Sequence, residues 1–535
     1  MVFSGNKMDL RSDDQEKIGE IVTSRTRYSF YNFLVSTLAA IILPLVGFIK
    51  VRLFKDLYGS DVNGLQLTIA QFITFLNICE LAYSLAFRQL LYQPLADGDH
   101  ERVKEIYHGA VKVFRITGVI VITASIVVSL MFPDFSESPF SYWDTAGTFL
   151  LMALPYGISY FLMGPNFVIM ADQKEYKINI WIQSIAILRM LAMVVAILLK
   201  QPFIWMLIIE AINILGSNTL ARHIALKQYP WLKEKPKKTD DTSFRKKAGY
   251  AVVQRLSELA TTQTDNIVVS GFMGYTMSSV YGIYSYLTDN IGKITQSMVQ
   301  SPMNSFGNLF AEKQSDSYPV FTEFFNFSTY ISTVVATVIF IVMPQFVPVW
   351  MGDPLYNASI PICFLFGLNI FYVTMRQPII IARDANGLYV NARNNAYLLA
   401  IVKIALSIIL VQKLGLLGVV MATTIAYWGI DFTYNPGLVY QNVFHRSVKD
   451  YYFMVLNRLA VAGVIGAFGF VIWNRFFAAS SVTVVRLILN IVLLGILIAV
   501  VTTIVYWLLY RSFRNLYVRL KGILARRRQQ KKEGR

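Results

Sequence analysis

The chain of 535 residues has only two cysteines. Cys79 and Cys363 both stand inside apolar runs without metal-site spacing, which excludes a disulfide framework and a structural zinc site. Histidine is nearly as scarce. His100, His108, His223 and His445 all fall near the ends of apolar runs on one side, so no histidine relay, haem or metal chemistry is expected within a membrane. Charged residues are few, at 15% against 55% hydrophobic and 14% aromatic, and mean hydropathy is +0.48. That balance lies outside soluble globular composition and inside the polytopic membrane class. Residues 1–27 lack the short apolar run and cleavage site of a signal peptide and are expected to form a cytosolic tail. A long catalytic loop is also missing, since the longest connection is a lysine-rich linker near Lys233. Catalysis, and with it any cofactor, is therefore not expected.

What the chain does have is apolar runs long enough to cross a hydrocarbon core of ~30 Å as helices, about fourteen times between Tyr28 and Tyr510. The expected fold is an all-α polytopic membrane protein in two six-helix halves, related by a pseudo-two-fold along the membrane normal, with two further C-terminal helices. Its expected divisions are the tail 1–27, a first lobe 28–226 with helices 1 to 6, a basic linker 227–247, a second lobe 248–436 with helices 7 to 12, helices 13 and 14 in 451–510, and a basic cytosolic tail 511–535. The net charge of +17 could suggest nucleic acid, but its distribution fits a positive-inside bias, with loops on one side far richer in Lys and Arg. Both termini are then cytosolic. Arg526, Arg527, Arg528, Lys531 and Lys532 suit an anionic leaflet surface rather than nucleic acid.

Three spans carry polar stripes that lipid cannot solvate. Gln254, Glu258, Thr261 and Asp265 recur at i, i+4, i+7 and i+11 with Arg255 beside them. Ser285, Asp289, Lys293, Gln296, Gln300 and Asn304 keep helical spacing on the next span, as do Asn77, Glu80, Ser84 and Arg88 on an earlier one. A charge within a bilayer costs at least ~2.5 to 3.5 kcal/mol, so such stripes face a bundle interior or a wet cavity. The cavity is expected between spans one, two, seven and eight. Asp289 with Lys293, and Arg255 with Glu258, are spaced to form structural pairs instead, and the residues alone leave both readings open. Elsewhere the plainer readings prevail. Asp97-Gly98-Asp99 has the form of a metal-holding DxD but reads as a turn. Arg189 and Glu210 suit a structural pair. Arg458 and Arg486 lie near span ends, where they can snorkel. Arg376, before Gln377-Pro378, is expected either to satisfy a backbone carbonyl freed by the proline or to bind a ligand.

Tyr58-Gly-Ser-Asp-Val-Asn-Gly-Leu-Gln-Leu, Asn77-Ile-Cys-Glu-Leu-Ala-Tyr and Leu91-Tyr-Gln-Pro-Leu-Ala-Asp-Gly-Asp resemble segments of the polysaccharide-biosynthesis flippases, the bacterial O-antigen and capsule exporters. In the second half, Thr264-Asp-Asn-Ile-Val-Val-Ser, Val280-Tyr-Gly-Ile-Tyr-Ser-Tyr and Asn304-Ser-Phe-Gly-Asn-Leu resemble the same family. The resemblance is fullest from Tyr28 to Lys313. It implies the fold of the multidrug, oligosaccharidyl-lipid and polysaccharide exporter superfamily, in a bacterial plasma membrane. The implied activity moves a polyprenyl-diphosphate-linked oligosaccharide from the cytosolic to the external leaflet by alternating access, coupled to H⁺ or Na⁺, with a polysaccharide polymerase as a candidate partner. On that reading Arg88, Arg255 and Lys293 receive the diphosphate, with Gln296 and Gln300 also on the substrate. Glu80, Glu258, Asp265 and Asp289 are then the candidates for ion coupling. The family's cavity is expected to be cationic, and the mixed charge here departs from that. The alternatives are a multidrug exporter of the same fold and, less favoured, a membrane-embedded glycosyltransferase or polymerase.

Overall fold

The computed structural model describes residues 42–135, 139–237, 259–304, 317–388, 391–477, 484–519 and 521. These residues are helical throughout, with no strand among them. They divide into two compact units: one takes 42–59 and 72–237, the other 60–71 and the residues from 259 onward.

The first unit holds helix α1 (42–58), the end of α2 (Ser60–Leu76), α3 (Ile78–Ala96), α4 (His100–Met131), α5 (Tyr142–Ser159), α6 (Gly164–Ala171), α7 (Tyr176–Leu198) and α8 (Ile204–Gln228). Asp99 begins α4 as its N-cap, accepting from the Arg102 amide, while Gly98 before it takes the positive φ of 70° that suits glycine. The Asp-Gly-Asp sequence is thus a helix start. Helices α5 and α6 form one span bent by 56°. Pro155 lies inside α5 and removes a ladder hydrogen bond there, while Pro165 stands in the first turn of α6, where its missing N–H has no intrahelical partner to lose. Phe87, Phe114 and Phe167 pack edge-on or tilted at 5.4 to 6.0 Å between centroids and anchor the core of this unit.

The second unit holds the start of α2, then α9 (Asp265–Asn304), α10 (Ser317–Met351), α11 (Ile360–Met375), α12 (Gln377–Ala385), α13 (Arg393–Leu414), α14 (Leu416–Ala426), α15 (Val448–Ile472) and α16 (Val484–Leu509). Helix α14 runs on through two wide π turns, Tyr427–Asp431 and Tyr440–Phe444, to make one span to Phe444. Helix α9 breaks at Gly274, with φ 80° and ψ 173°. Gly59, between α1 and α2, holds nearly the same angles, φ 89° and ψ 166°. Both lie where a Cβ is strongly disfavoured, and both join two helices through a single glycine.

The start of α2 crosses the later part of α9 at very short range. A Cβ on Gly64 would stand 1.7 Å from the Tyr275 carbonyl oxygen, and one on Gly282 would stand 2.4 Å from a Leu67 methyl. Such close approach requires small residues on both faces. Hydrogen bonds line the crossing. Asn63 donates to Ser279 Oγ at 2.8 Å, Thr68 and Ser278 hydroxyls lie 3.0 Å apart, and Thr276 donates to Asp61. Tyr356, in the short turn between α10 and α11, donates to Ser60 Oγ at 2.9 Å. Its only hydroxyl proton is thereby engaged, so Ser279 donates to it across 2.9 Å. Burial pushes the Tyr356 phenol above its ordinary range, which keeps it protonated for this relay.

Nine helices among the described residues are long and apolar enough to cross a membrane, ten with the bent pair α5 and α6, against about fourteen expected. The expected second span, Gly64 to Tyr92, is in fact α2 and α3, broken at Asn77. Part of the expected first span lies outside the described residues. Arg458 departs from the expected snorkelling. It is buried, donates to Asn326 Oδ1 at 3.0 and 3.1 Å, and stacks 4.1 Å from the Tyr510 ring centre. Large apolar side chains on α16, Val485, Leu489, Leu493 and Ile496 among them, are exposed, as expected of a surface facing lipid.

Candidate functional site

Several charged groups of the second unit lie on α9, on α13, at the break between α11 and α12 and in the π turn after α14. Asp265 opens α9, where the helix N-terminus favours an anion. Its Oδ1 lies 2.8 Å from Lys403 Nζ of α13, and its Oδ2 accepts from the Tyr281 hydroxyl at 2.7 Å. Lys403 is 1% exposed and also donates to the Thr261 carbonyl. The candidate coupling acid is therefore held in a buried ion pair. Sequence reasoning missed Lys403, although it is a lone cation in an otherwise apolar span, a standard sign of an intramembrane role.

Arg376 does not satisfy a backbone carbonyl freed by Pro378, as one of its two sequence expectations had it. It donates to Asp431, which also accepts from Tyr372 Oη at 2.6 Å and from Asn435 Nδ2 at 2.6 Å. Arg383 in turn reaches Asn435 Oδ1 at 3.1 Å. The Arg376 guanidinium lies 5.6 and 5.4 Å from the ring centres of Tyr372 and Tyr427. The helix break before Pro378 and the π turn ending at Asp431 aim these two charges at each other. Asp431 was also missed, because a single acid followed by Phe-Thr-Tyr-Asn looks like a span end.

The stripe on α9 divides in two. Asp289 and Lys293 are exposed, and neither side chain takes a hydrogen-bond or ion-pair partner among the described residues, so the i, i+4 structural pair does not form. Gln296 and Gln300 are half-buried and tied to α12: Gln300 Nε2 donates to Gln377 Oε1 at 2.9 Å, and Gln377 Nε2 donates to Gln296 Oε1 at 3.3 Å and to the Val373 carbonyl at 2.8 Å. Thr295 and Thr374 hydroxyls meet at 3.0 Å just behind them. Ser285 bonds back to Gly282 of its own helix. The result is an accessible acid and base beside amides whose orientation is held.

In the first unit, Glu80 lies half-buried in the first turn of α3, and Arg88 Nε donates to the Ser84 carbonyl one turn back at 3.2 Å. Arg189 Nη1 and Glu210 Oε2 pair at 2.7 Å across α7 and α8. Arg255, Glu258 and Gln254 lie outside the described residues.

No protein-family model matches the sequence, and no curated relative is found. Among solved structures, the lipid II flippase MurJ in an inward closed conformation is similar over 90% of this chain and 100% of its own, with a TM-score of 0.64 and 16% identity. The Vibrio cholerae MATE transporter VcmN, in a point-mutant form, is similar over 79% of this chain and 100% of its own, with a TM-score of 0.52 and 11% identity. The all-α polytopic fold is thus one that this chain shares with both.

Proposed function

We propose that this protein is a flippase that carries a polyprenyl-diphosphate-linked oligosaccharide from the cytosolic to the external leaflet of a bacterial plasma membrane by alternating access, coupled to H⁺ or Na⁺. The observation that carries the reading is the accessible α9 face, where Lys293 stands one turn from Asp289 and from the oriented amide of Gln296, with that of Gln300 a turn further on. A cation suits a diphosphate, and amides with both donor and acceptor suit sugar hydroxyls. The fold shared with the lipid II flippase supports this assignment. On this reading Lys293, with Arg88 and Arg255, receives the diphosphate. Asp289 exchanges the coupling cation, and Asp265 joins it when the cation displaces Lys403. Glu80 and Glu258 complete the set of coupling acids. A polysaccharide polymerase is the consumer that such a product requires. The exposed Asp289 also suits an organic cation, the cargo of a drug exporter, and the same vesicles loaded with a cationic dye distinguish the two.

In proteoliposomes holding lipid-linked oligosaccharide, Lys293→Ala is expected to weaken substrate binding by roughly ten- to a hundredfold, the worth of a hydrogen bond to a charged group. Flipping at the wild-type rate by Lys293→Ala, Arg88→Ala and Arg255→Ala alike would remove the diphosphate from these three residues. The topology has its own test. In a chain lacking Cys79 and Cys363, single cysteines at Gly98, Lys235 and Arg528 are expected to resist an impermeant thiol reagent added to intact cells. Labelling from outside at position 235 would overturn the cytosolic placement of the linker.

A further inference from the structure

In the first unit, a cavity of about 490 Å³ opens between the early part of α4, the end of α8 and the turn Pro230–Lys233. Four cations line it, Lys112 and Arg115 from α4, Arg222 from α8 and Lys233 from the turn, together with Tyr107 and His108. No acidic side chain is among the described residues lining it. The acids of this corner are engaged elsewhere: Glu101 and Glu234 both pair with Lys104, at 2.6 and 2.9 Å, and Glu105 pairs with Arg102 at 2.9 Å. Arg115 and Lys233 take no ion-pair partner among the described residues and are exposed. Arg222 is positioned by donating Nη1 to the Phe161 carbonyl at 2.9 Å, which leaves its other N–H groups available. The turn is itself held in place, because His108 Nε2 lies 3.2 and 2.9 Å from the Leu232 and Glu234 carbonyls and donates to them.

Arg115, Arg222 and Lys233 around one space repel each other unless an anion joins them. The position of the cavity says which kind. Ile116 lines it too, and from there Ile116, Val119 and Ile120 of α4 are 46%, 56% and 60% exposed, the start of the lipid-facing belt. Val111 and Leu226 add apolar wall. A phosphate seated among the cations would thus continue directly into apolar surface. At ~30 Å³ per water, the space has room for a phosphate with its glycerol. We propose that this cavity is a headgroup site for an anionic glycerophospholipid of the adjoining leaflet, with the phosphate held by Arg115, Arg222, Lys112 and Lys233. Basic pockets between membrane helices commonly take such headgroups. The site lies within one unit and is independent of the flipped substrate.

The test uses the full chain in detergent and native mass spectrometry with phosphatidylglycerol, with phosphatidylcholine of the same acyl chains, and with inorganic phosphate. Phosphatidylglycerol is expected to bind at least tenfold more tightly than phosphatidylcholine. The double variant Arg115→Gln/Lys233→Gln, at two exposed positions, is expected to lose that preference and to leave the weak phosphatidylcholine adduct unchanged. Lys227→Gln removes an exposed cation of α8 that does not line the cavity and is expected to bind as wild type. Equal losses from Lys227→Gln and the double variant would show general attraction to anionic lipid and overturn the site. Displacement of the lipid by millimolar phosphate would overturn the lipid as occupant, and unaltered lipid preference in the double variant would overturn the cations' role.

Discussion

Lys403→Met is expected to destabilise the protein by about 3 to 5 kcal/mol, the usual cost of breaking a buried ion pair from one side. The Lys403 ammonium is 1% exposed and lies 2.8 Å from Asp265 Oδ1. Removing it leaves a carboxylate that is 7% exposed, supported by the helix N-terminus and, on its other oxygen, by the Tyr281 hydroxyl. The Thr261 carbonyl loses its donor as well. Adding Asp265→Asn to Lys403→Met removes the stranded charge and is expected to recover at least half of the loss. The unfolding midpoint of the detergent-purified protein, followed by size-exclusion chromatography during heating, reads both. A single variant as stable as wild type, or a double variant worse than the single, would mean that the pair is not held as a buried charge pair. The double variant also separates roles: if Asp265 couples transport, the stability returns while the gradient dependence of flipping does not.

Gly64→Ala comes next in expected effect. Its Cβ would overlap the Tyr275 carbonyl oxygen, at 1.7 Å, and the obstacle is backbone rather than a side chain that can turn aside. The start of α2 must then back away from α9 and give up the hydrogen bonds at Asn63, Thr68 and Ser60. A loss of about 3 kcal/mol or more is expected, the upper end of overpacking. Gly216→Ala, inside α8 with nothing within 4 Å of the added methyl, is the matched comparison. It is expected to be neutral or to stabilise by up to ~1 kcal/mol through helix propensity. If the two variants unfold at the same temperature, the close crossing of α2 and α9 is not what holds this region together.

The residues that announced themselves in the sequence did so through periodicity. Asp289, Lys293, Gln296 and Gln300 repeat at helical spacing on an apolar background, so their shared face was readable before any coordinates. Their partners were not, because partnership is decided by tertiary packing between distant elements. Gln377 reaches Gln296 and Gln300 from a helix that starts only because Pro378 forces a break after Arg376. Lys403 and Asp431 are single charges with no periodic companions, so no stripe drew attention to them. Arg458 shows a related limit: near a span end by count, it is buried because α10 offers Asn326 at the same level. The places where helices break were the least legible feature. Apolar run length does not reveal where Asn77 or Gly274 will break a helix, or where a polar stripe will lower the hydropathy of a spanning one.

The bonds that join α2 to α9 also impose an order in time. Asn63 and Ser279 are 216 residues apart in the chain, and Thr68 and Ser278 are 210 apart. At ~5 to 20 residues per second of synthesis, the polar face of α2 emerges roughly 10 to 40 s before its partners exist. During that interval Asn63 and Thr68 must be satisfied by water or by the insertion machinery, since hydrocarbon offers no hydrogen bonds. Residues 60–71 therefore become part of their final unit only after most of the first unit has been made, and the nascent chain carries one helix whose placement is completed from downstream.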